Sequence, residues 1–451
     1  MILLMTTAPP EKSPWGIANK LPPLGLAYVA GALEKAGFSV SMLDNYLEKK
    51  PLKEVKQIVK RLSPTIVGIT CSSNTYKPCI ETAKAIKEVL PSCVVVAGGW
   101  HATCMPETIL QHNEIDYAIL GEGERGMVAL ANYLREGGDK SAVSSVPSLV
   151  YRQDGQIKKN PQSFIADLDE IPFPARHLLP MDLYDQKLEY IEATPAHTMA
   201  VVRGCTHDCN WCNSKGIWGP KCRAFSPLRI VDEMSFMAEK YGSKGIYFVG
   251  DNFTFNKKKT MELCRLIKER KLNMEWACET GVDMVSKELL AEMKSAGCRT
   301  IFFGVESGSP KILEKINRGV TIQQITEAFK LCKEVGLKTV ASFIFGIPGE
   351  TIKDMETTFK FAQKLDPDWH LFNIFIPYPG CRIYDEILQT GQYDHIEDFL
   401  AYVKTDEFDY QTLLEIHRKF HRNFNKTPKR ILRKIREEGI VKVSKKALHA
   451  L

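Results

Sequence analysis

The feature that most constrains this chain is an alternation of strands and helices that runs twice along its 451 residues. In the first run, short apolar stretches such as 66–71 and 94–97 alternate with amphipathic segments as far as residue 136. Strands that alternate with helices predict a parallel, doubly wound sheet. Such sheets bind ligands beyond the carboxyl ends of their strands, so the residues that follow each strand are the candidates for binding.

The residues at these strand ends in the first run are small, and many are glycines. They are Ser72 and Ser73 after the third predicted strand, Gly98, Gly99 and His101 after the fourth, and Gly121 and Glu122 after the fifth. Paired glycines let the backbone approach a bulky ligand closely. No G-x-G-x-x-G follows the first strand, which disfavours a dinucleotide site.

Residues 141–194 break the alternation and predict a connector. Asp154 and Gly155 favour a tight hairpin turn between two short strands. The stretch 168–176 is interrupted by prolines and predicts an extended linker between two domains.

The second run contains six predicted strands with helices between them, which is too few strands for a closed eight-stranded barrel but enough for a partial one. In such barrels the chemistry lies at the carboxyl ends of the strands. The polar, glycine and aromatic residues that this rule selects are Asp251, Asn252, Glu279, Glu306, Ser307, Gly346 and Tyr378.

Three cysteines, Cys205, Cys209 and Cys212, follow the first strand of the second run with the spacing C-x3-C-x2-C. Thiolates are the soft ligands of iron–sulfur clusters, and three ligands on a four-iron cluster leave one iron open. A zinc site with His207 or Cys222 as its fourth ligand, or three structural cysteines, has the same spacing. The spacing alone leaves these alternatives open.

Composition narrows the class of protein. The thirteen cysteines are odd in number and widely spread, which disfavours a disulfide framework and favours a reducing, cytoplasmic compartment. No apolar run reaches the roughly 18 residues of a membrane span, and the N-terminus lacks the pattern of a signal peptide. Much of the net charge of +6 comes from the basic end, 429–446, which predicts a solvated helical face and no nucleic-acid partner.

The motifs together resemble those of the cobalamin-dependent radical S-adenosylmethionine enzymes over about residues 1–385. In the first half the resemblance rests on Pro-Pro-Leu-Gly-Leu at 22–26, Gly-Gly-Trp-His-Ala-Thr at 98–103 and Gly-Glu-Gly-Glu at 121–124. In the second half it rests on the cysteine loop, Phe-Gly-Val-Glu-Ser-Gly-Ser at 303–309 and Phe-Gly-Ile-Pro-Gly-Glu-Thr at 345–351. A zinc knuckle explains none of the downstream motifs and becomes the weaker alternative.

The resemblance implies an α/β chain with a Rossmann-like cobalamin-binding domain (1–140), a linker (141–194), a partial (β/α)6 radical S-adenosylmethionine barrel (195–385) and a small helical C-terminal region (386–451). It implies a [4Fe-4S] cluster on Cys205, Cys209 and Cys212, S-adenosylmethionine, and cobalamin as methylcobalamin. The implied reaction is hydrogen abstraction by a 5′-deoxyadenosyl radical and methylation of the resulting carbon radical. A ferredoxin or flavodoxin is the implied electron donor, and a protein side chain, a peptide or a small molecule all remain possible substrates.

The resemblance also implies roles for the strand-end residues. Asp251 and Asn252 would meet the methionine amine, Glu306 and Ser307 the ribose or carboxylate, and Gly346 the adenine. Tyr378 would line the substrate side. The motif D-x-H-x-x-G is absent, so the resemblance implies cobalamin held without a protein histidine on cobalt. His101 is then either a neighbour of the lower face of cobalamin or a histidine satisfied by loop hydrogen bonds, and the second interpretation is favoured.

One departure from the family pattern affects S-adenosylmethionine binding. The third barrel strand in relatives often ends in Thr-Arg-Val-Asp, whereas this chain reads Thr-Gly-Val-Asp at 280–283. Gly281 removes a positive charge that would meet the S-adenosylmethionine carboxylate. We expect another basic residue, Arg223 or Lys221, to replace it.

Rival interpretations remain at this point. The same architecture supports cyclisation and ring rearrangement. A radical methylthiotransferase would carry a second cysteine triad, but the cysteines of the first half lie at helix and strand positions rather than in one loop. A non-catalytic sensor would use the basic tail to bind an anionic partner. The tail itself predicts helices at 396–403, 409–423 and 428–438.

Overall fold

The structure, a computed structural model, describes residues 1–9, 20–138, 142–427 and 430–431. Within these ranges, the first half forms one sheet of seven strands: β1 (Ile2–Thr6), β2 (Val40–Asp44), β3 (Ile66–Thr70), β4 (Val94–Gly98), β5 (Tyr117–Ile119), β6 (Leu149–Gln153) and β7 (Gln156–Lys159). Their spatial order is β2-β1-β3-β4-β5-β6-β7, and the first five are parallel. The predicted parallel sheet is confirmed, and its order reverses between β1 and β3, where sheets of this kind bind ligands.

Helices cover both faces of this sheet. They are α1 (Leu24–Lys35), α2 (Asn45–Glu48), α3 (Leu52–Leu62), α4 (Tyr76–Val89), α5 (Trp100–Cys104), α6 (Pro106–Leu110) and α7 (Gly123–Arg135). Ile2 and Leu3 are neighbours on β1 and point to opposite faces. Ile2 packs with the cluster that contains Leu33 of α1 and Leu130 of α7, whereas Leu3 packs with α3 and α4. Burial on both faces explains why the first four residues of β1, from Ile2 to Met5, are all apolar.

The predicted hairpin at Asp154 and Gly155 is confirmed. Both residues have positive φ, 52° and 73°, as a two-residue turn requires. The hairpin pairs β6 with β7, and β6 also pairs antiparallel with β5. The first sheet therefore continues past residue 140, and the domain division at that point stays a prediction.

The second half contains β8 (Ala196–Ala200), β9 (Val202–Arg203), β10 (Arg223–Ala224), β11 (Gly245–Val249), β12 (Glu275–Thr280), β13 (Cys298–Glu306), β14 (Lys338–Phe345) and β15 (Trp369–Ile374). Six of these lie in the order β15-β14-β13-β12-β11-β8, all parallel, while β9 and β10 form a separate ribbon. The predicted six-stranded partial barrel is confirmed. All six strands present their carboxyl ends on the same side, because they are parallel.

The helices of the second half are α8 (Ser214–Trp218), α9 (Pro227–Tyr241), α10 (Lys257–Glu269), α11 (Lys287–Ser295), α12 (Pro310–Lys315), α13 (Ile322–Val335) and α14 (Ile352–Leu365). Five of them begin at a side chain that accepts a hydrogen bond from the backbone three residues later: Ser226, Asn256, Ser286, Thr321 and Thr351. Such caps fix where each helix starts and hence where each preceding loop ends.

The C-terminal region differs from prediction. It contains α15 (Arg382–Thr390), β16 (Tyr393–Glu397), β17 (Leu400–Val403) and α16 (Tyr410–Phe424). The helix predicted at 396–403 is wrong, because β16 and β17 pair as an antiparallel hairpin. Its turn packs Phe399 against the rings of both Tyr76 and His101, with centroid distances of 4.9 and 4.6 Å. The helix predicted at 409–423 is confirmed as α16.

The helix predicted at 428–438 and most of the basic end, 429–446, lie outside the described residues. Among the helices that the structure describes, none combines the length and apolar character needed to cross a bilayer.

Candidate active site

A cavity of about 370 Å³ lies at the carboxyl ends of the six parallel strands. Eight of the residues selected from the sequence line it: Cys205, Cys209, Cys212, Asp251, Asn252, Glu279, Glu306 and Tyr378. The strand-end rule thus brought together side chains that are more than 170 residues apart in the sequence. We call this space the barrel cavity.

The three cysteines lie on the loop between β9 and α8. Burial raises the pKa of the Cys209 thiol to about 11 and that of Cys212 to about 12. Metal coordination deprotonates such thiols. Within the described ranges, no group of three His, Cys, Asp or Glu side chains converges on a single ion. A closed zinc site needs such convergence, whereas the thiolates of a four-iron cluster each bind a different iron.

His207 provides a positive group beside the cysteine loop. Its Nε2 lies 3.2 Å from the Asp283 carboxylate, and its Nδ1 lies 3.6 Å from the Cys205 sulfur. The hydrogen bond to Asp283 raises the pKa of His207 to about 9. A Cβ at Gly281 would lie 3.1 Å from the imidazole and 2.7 Å from the Asp283 carboxylate. The missing side chain at Gly281 therefore makes room for the His207–Asp283 pair.

Asp251 and Asn252 follow β11 but have different surroundings. The Ser214 hydroxyl donates to Asp251, whose pKa is raised by burial. Asn252 is fully buried, and its Oδ1 accepts from the Thr280 hydroxyl at 2.8 Å. Asp251 is available to a ligand, whereas the Asn252 side chain ties two strand ends together.

Glu279 faces the interior of the barrel. Its Oε1 accepts a hydrogen bond from Tyr247 at 2.7 Å, and burial raises its pKa to about 7. Asn373 and Ser342, which the sequence reasoning missed, also line the cavity, and Asn373 Nδ2 donates to Ser342 Oγ at 3.0 Å. The Asn373 amide nitrogen is therefore engaged, whereas the Ser342 hydroxyl and the protonated form of Glu279 can donate to a ligand and the Asn373 carbonyl oxygen can accept from one.

Glu306 and Arg318 form a charged part of the wall of the barrel cavity. Burial raises the pKa of Glu306 to about 7, although the nearby Arg318 guanidinium opposes the shift. Arg318 is 7% exposed, and its Nη2 donates to the Gly304 carbonyl at 2.8 Å. The guanidinium also lies beside Cys209. The sequence reasoning missed Arg318, because it considered strand ends and this residue lies in the loop after α12.

The two basic residues expected to replace the missing charge at 281 do not line the barrel cavity. Arg223 instead binds Glu122 at 2.7 Å and the carbonyl of Trp218 at 2.5 Å. Arg318 is thus the arginine that the described structure brings to this cavity.

Two further candidates lie outside the cavity. The Ser307 hydroxyl is fully buried 3.0 Å from that of Thr358. Gly346 has φ 92°, and its N–H donates to Glu350 at 2.7 Å. A Cβ at Gly346 would lie 2.6 Å from Leu413. Both residues therefore shape the loops behind the cavity.

A second cavity of about 250 Å³ lies at the carboxyl ends of β1, β3, β4 and β5. Four candidates line it, Gly98, Gly99, Gly121 and Glu122, together with Gly25, Gly68 and Trp100. The Trp100 indole N–H is buried and has no hydrogen-bond partner among the described residues, so it can donate to a ligand. We call this space the sheet cavity.

Ser72, Ser73 and His101 do not line the sheet cavity. His101 is fully buried, and its two ring nitrogens lie 3.1 Å from Ser73 Oγ and 3.0 Å from Thr108 Oγ1. Burial lowers its pKa to about 4. The Ser72 hydroxyl bonds to Thr75 in a local cap. The surroundings of His101 are those of a satisfied, neutral core histidine.

The two cavities meet at one aromatic contact. Trp100 of the sheet cavity and Tyr378 of the barrel cavity pack edge to face, with ring centroids 5.3 Å apart. Burial raises the pKa of the Tyr378 phenol above its usual range, so it stays protonated at neutral pH. Cofactors in the two cavities would therefore be neighbours.

Comparisons with known proteins identify both halves of the chain. The radical SAM superfamily matches residues 199–362, and the B12 binding domain matches residues 16–131. An uncharacterized methyltransferase of Pyrococcus horikoshii is 34% identical over 92% of this chain and 90% of that protein. An anaerobic magnesium-protoporphyrin IX monomethyl ester cyclase of Rubrivivax gelatinosus is 28% identical over 88% of this chain and 73% of the cyclase.

A solved structure extends the comparison to nearly the whole fold. The cobalamin-dependent S-adenosylmethionine radical enzyme OxsB, with aqua-cobalamin and S-adenosylmethionine bound, matches with a TM-score of 0.78 and 15% identity. The match covers 97% of this chain and 68% of OxsB.

The two cavities fit the cofactors of this family, which are a [4Fe-4S] cluster, S-adenosylmethionine and cobalamin. Three thiols share one wall of the barrel cavity, and the same cavity offers both an arginine and buried carboxyl groups to a zwitterionic amino acid. The sheet cavity combines glycines, apolar side chains and the indole N–H of Trp100, which suits a polar-edged ring system, and its volume of about 250 Å³ has room for one part of a molecule as large as cobalamin. The chain belongs to the cobalamin-dependent radical S-adenosylmethionine enzymes.

Proposed function

We propose that this enzyme is a C-methyltransferase that transfers a methyl group from methylcobalamin to an unactivated carbon. The observation that carries the proposal is the arrangement of two separate cavities that meet at Trp100 and Tyr378. The 34% identical relative named as a methyltransferase supports the reaction type. When bound, the cluster and S-adenosylmethionine supply a radical that removes hydrogen, and methylcobalamin supplies the methyl group.

The cysteine loop holds the cluster in this proposal. Cys205, Cys209 and Cys212 are the ligands, and the backbone N–H of Ser214, which donates to the Cys212 sulfur at 3.4 Å, supports that ligand. Trp211 packs against the apolar core next to the loop. Its ring and the neighbouring apolar wall exclude water from the reacting groups.

Charge orients S-adenosylmethionine in the barrel cavity. Arg318 binds the carboxylate, because a buried guanidinium is the best partner for that group. Asp251 binds the ammonium group from the other side of the cavity. The pKa values of Glu279 and Glu306 are raised to about 7, and the sulfonium and ammonium groups of S-adenosylmethionine would favour the ionised form of both carboxyl groups.

In this proposal the sheet cavity would bind cobalamin, and His101 would take no part. Both ring nitrogens of His101 are already engaged, and the ring is fully buried. Gly98 and Gly121 let the backbone approach the cofactor, and Trp100 donates its free indole N–H to a polar group at its edge. Tyr378 closes the substrate side between the two cofactors.

A one-electron reductant such as a ferredoxin or flavodoxin completes the reaction. We also infer a reducing, cytoplasmic compartment, because all thirteen cysteines lie in the described residues and each is a free thiol. Glu279, Ser342 and Asn373 lie among apolar side chains of the barrel cavity, which favours a substrate with a hydrogen-bonding group on an apolar body.

The test is anaerobic reconstitution followed by measurement of S-adenosylmethionine cleavage in the wild type and in two variants. Reduced wild-type enzyme should cleave S-adenosylmethionine to 5′-deoxyadenosine, and the Cys209→Ala variant should not. Cys222→Ala is the matched control, since the Cys222 thiol donates to the Gly204 carbonyl at 3.0 Å and is not one of the proposed ligands. Cleavage that survives Cys209→Ala would reject the proposed cluster ligands.

The relationship to a cyclase supports ring formation as a second candidate reaction. S-Adenosylmethionine with an isotopically labelled methyl group separates the two on any substrate that is found. Methylation places the label in the product, whereas cyclisation yields an unlabelled product that has lost hydrogen. A substrate converted without uptake of label would reject the methyltransferase.

A further inference from the structure

The sheet cavity is closed by residues from the second half of the chain. Arg203, Ile217 and Trp218 line it together with the strand ends of the first sheet. All three lie on the elements that flank the cysteine loop, because β9 ends at Arg203 and α8 ends at Trp218. The first sheet therefore supplies only part of the wall.

Helix α8 reaches both cavities although it is only five residues long. Ser214 at its start lines the barrel cavity, and its backbone N–H donates to the Cys212 sulfur at 3.4 Å. Ile217 and Trp218 at its end line the sheet cavity. One short helix thus joins a proposed cluster ligand to the wall of the other site.

A buried ion-pair network fixes the same elements to the first sheet. Arg203 and Arg223 are paired residues of the β9–β10 ribbon. Arg203 pairs with Glu124 and lies 3.5 Å from Glu122, while Arg223 binds Glu122 at 2.7 Å. The four side chains are at most 10% exposed. Removing one member would leave a buried, uncompensated charge, so the network ties the position of the ribbon to that of Glu122 and Glu124, which also line the sheet cavity.

The guanidinium of Arg203 also links the network to the aromatic wall. It lies 5.2 Å from the ring of Trp218 and 5.6 Å from the ring of Tyr28. A planar guanidinium between aromatic rings is held by cation–π attraction as well as by its carboxylate partners. Displacement of the cysteine loop would therefore move Arg203 and Trp218, both of which line the sheet cavity.

We propose that the cysteine loop completes the cobalamin site, so that binding of the cluster and binding of cobalamin are thermodynamically coupled through Arg203 and Trp218. The inference rests on the proposed assignment of the sheet cavity to cobalamin. Cluster ligation orders the loop, and an ordered loop presents a preformed wall to cobalamin. Coupling of this kind is reciprocal, so bound cobalamin also favours retention of the cluster.

The test is an anaerobic titration with hydroxocobalamin, followed by visible absorption. Cluster-loaded wild-type protein should bind it about 5- to 150-fold more tightly than the same protein without its cluster, the range typical of coupled sites. The triple variant Cys205→Ala, Cys209→Ala, Cys212→Ala should match the cluster-free wild type. In the reverse experiment, cobalamin should slow the loss of iron to a chelator. Equal affinity with and without the cluster would overturn the proposal.

Variants of the two positioning residues, Arg203 and Trp218, are measured by their affinity for hydroxocobalamin rather than by enzymatic activity. Arg203→Met and Trp218→Ala should each weaken cobalamin binding in the cluster-loaded protein and reduce its dependence on the cluster. Arg203→Lys and Trp218→Phe should restore part of that dependence. Trp218→Ala keeps the proposal testable if Arg203→Met does not fold. Arg125→Met is the matched control, because Arg125 is an exposed arginine of α7 that pairs with Glu170.

One further variant distinguishes a wrong assignment of the sheet cavity to cobalamin from an absence of coupling between cluster and cobalamin. Gly25→Leu adds a side chain, from the first half alone, at a residue that lines the sheet cavity. If this variant binds hydroxocobalamin like the wild type, the assignment is wrong. If it loses binding while the cluster has no effect on the wild type, the assignment stands and the coupling is wrong.

Discussion

The barrel cavity and the sheet cavity are built from opposite materials. The barrel cavity is lined by thiols, carboxyl groups, an arginine and an imidazole, most of which are partly buried and held by hydrogen bonds to neighbouring residues. The sheet cavity is lined mainly by glycines and apolar side chains, with charged groups confined to the side that faces the cysteine loop. The barrel cavity selects its ligand by charge. The sheet cavity selects its ligand by size and shape, because its glycines leave space that side chains would otherwise fill. Substitutions should therefore act through electrostatics in one and through volume in the other.

The largest expected effect comes from filling the sheet cavity. Gly25 lies in the first turn of α1, and a Cβ there meets no atom within 4 Å. Gly25→Leu should abolish detectable hydroxocobalamin binding without lowering the thermal midpoint, because leucine has a higher helix propensity than glycine by roughly 0.5–1 kcal/mol. Gly25→Ala is the graded control and should weaken binding less. Wild-type affinity in the leucine variant would show that volume does not control this site.

The next effect is electrostatic and belongs to the barrel cavity. The folded protein holds a proton on Glu279 up to a pKa of about 7, whereas the unfolded chain releases it near the usual value of 4.5. The unfolded state binds fewer protons in that window, so the stability contributed by this group falls as pH rises through it. We expect the free energy of unfolding of Glu279→Gln, relative to wild type, to gain about 2–3 kcal/mol between roughly pH 4 and pH 8.

Chemical denaturation of the cofactor-free protein at both pH values measures this difference. Gln keeps an acceptor for Tyr247, so the comparison isolates the charge. Glu192→Gln is the control, since Glu192 is an exposed carboxylate whose pKa is lowered by its hydrogen bond to Lys338. A pH-independent difference for Glu279→Gln would mean that the carboxyl group is better solvated than its surroundings indicate.

Arg318 should affect S-adenosylmethionine rather than cobalamin. Arg318→Met removes the proposed carboxylate partner and the donor to the Gly304 carbonyl, and we expect roughly thirtyfold weaker S-adenosylmethionine binding, or about 2 kcal/mol. Calorimetry on the cluster-loaded protein measures this affinity. Lys311→Met is the matched control, because Lys311 is an exposed cation that pairs with Asp354 outside the cavity. An unchanged affinity in Arg318→Met would assign the carboxylate to His207 or to backbone groups instead.

The sequence predicted the barrel cavity well because strand direction is readable from the alternation. Parallel strands share one edge, so Asp251, Glu279 and Glu306 were placed together without any knowledge of contacts. The period of two within β13 refines the set further, since Phe302, Gly304 and Glu306 line the cavity whereas Ser307 points away. The same alternation excludes Ser307 from the lining of the cavity and selects Phe302 and Ser342 as lining residues.

Other parts of the site depend on contacts that no local pattern records. Arg318 lies in a loop between Asn317, at φ 50°, and Gly319, at φ 72°, and its position follows from the packing of α12. The turn at Asp398 and Phe399 has positive φ at both residues, 48° and 65°, which a bulky residue rarely adopts. The packing of Phe399 against Tyr76 and His101 offsets that cost, so tertiary contacts decided between the predicted helix and the observed hairpin.

The smallest expected effect tests the two ends of α8 against each other. Ser214→Ala removes the hydroxyl that donates to Asp251 and should raise the pKa of that carboxyl further, because burial already raises it and this hydrogen bond opposes the shift. S-Adenosylmethionine binding should weaken by roughly fivefold, or about 1 kcal/mol, and should need a higher pH to reach half of its maximum. Ser214→Thr keeps a hydroxyl and serves as the control. The affinity for cobalamin should stay unchanged in Ser214→Ala, since Ser214 lines the barrel cavity and not the sheet cavity. Trp218→Ala should instead weaken cobalamin binding and leave the affinity for S-adenosylmethionine unchanged. If both variants weaken both ligands equally, α8 is a structural support rather than a link with one end in each site.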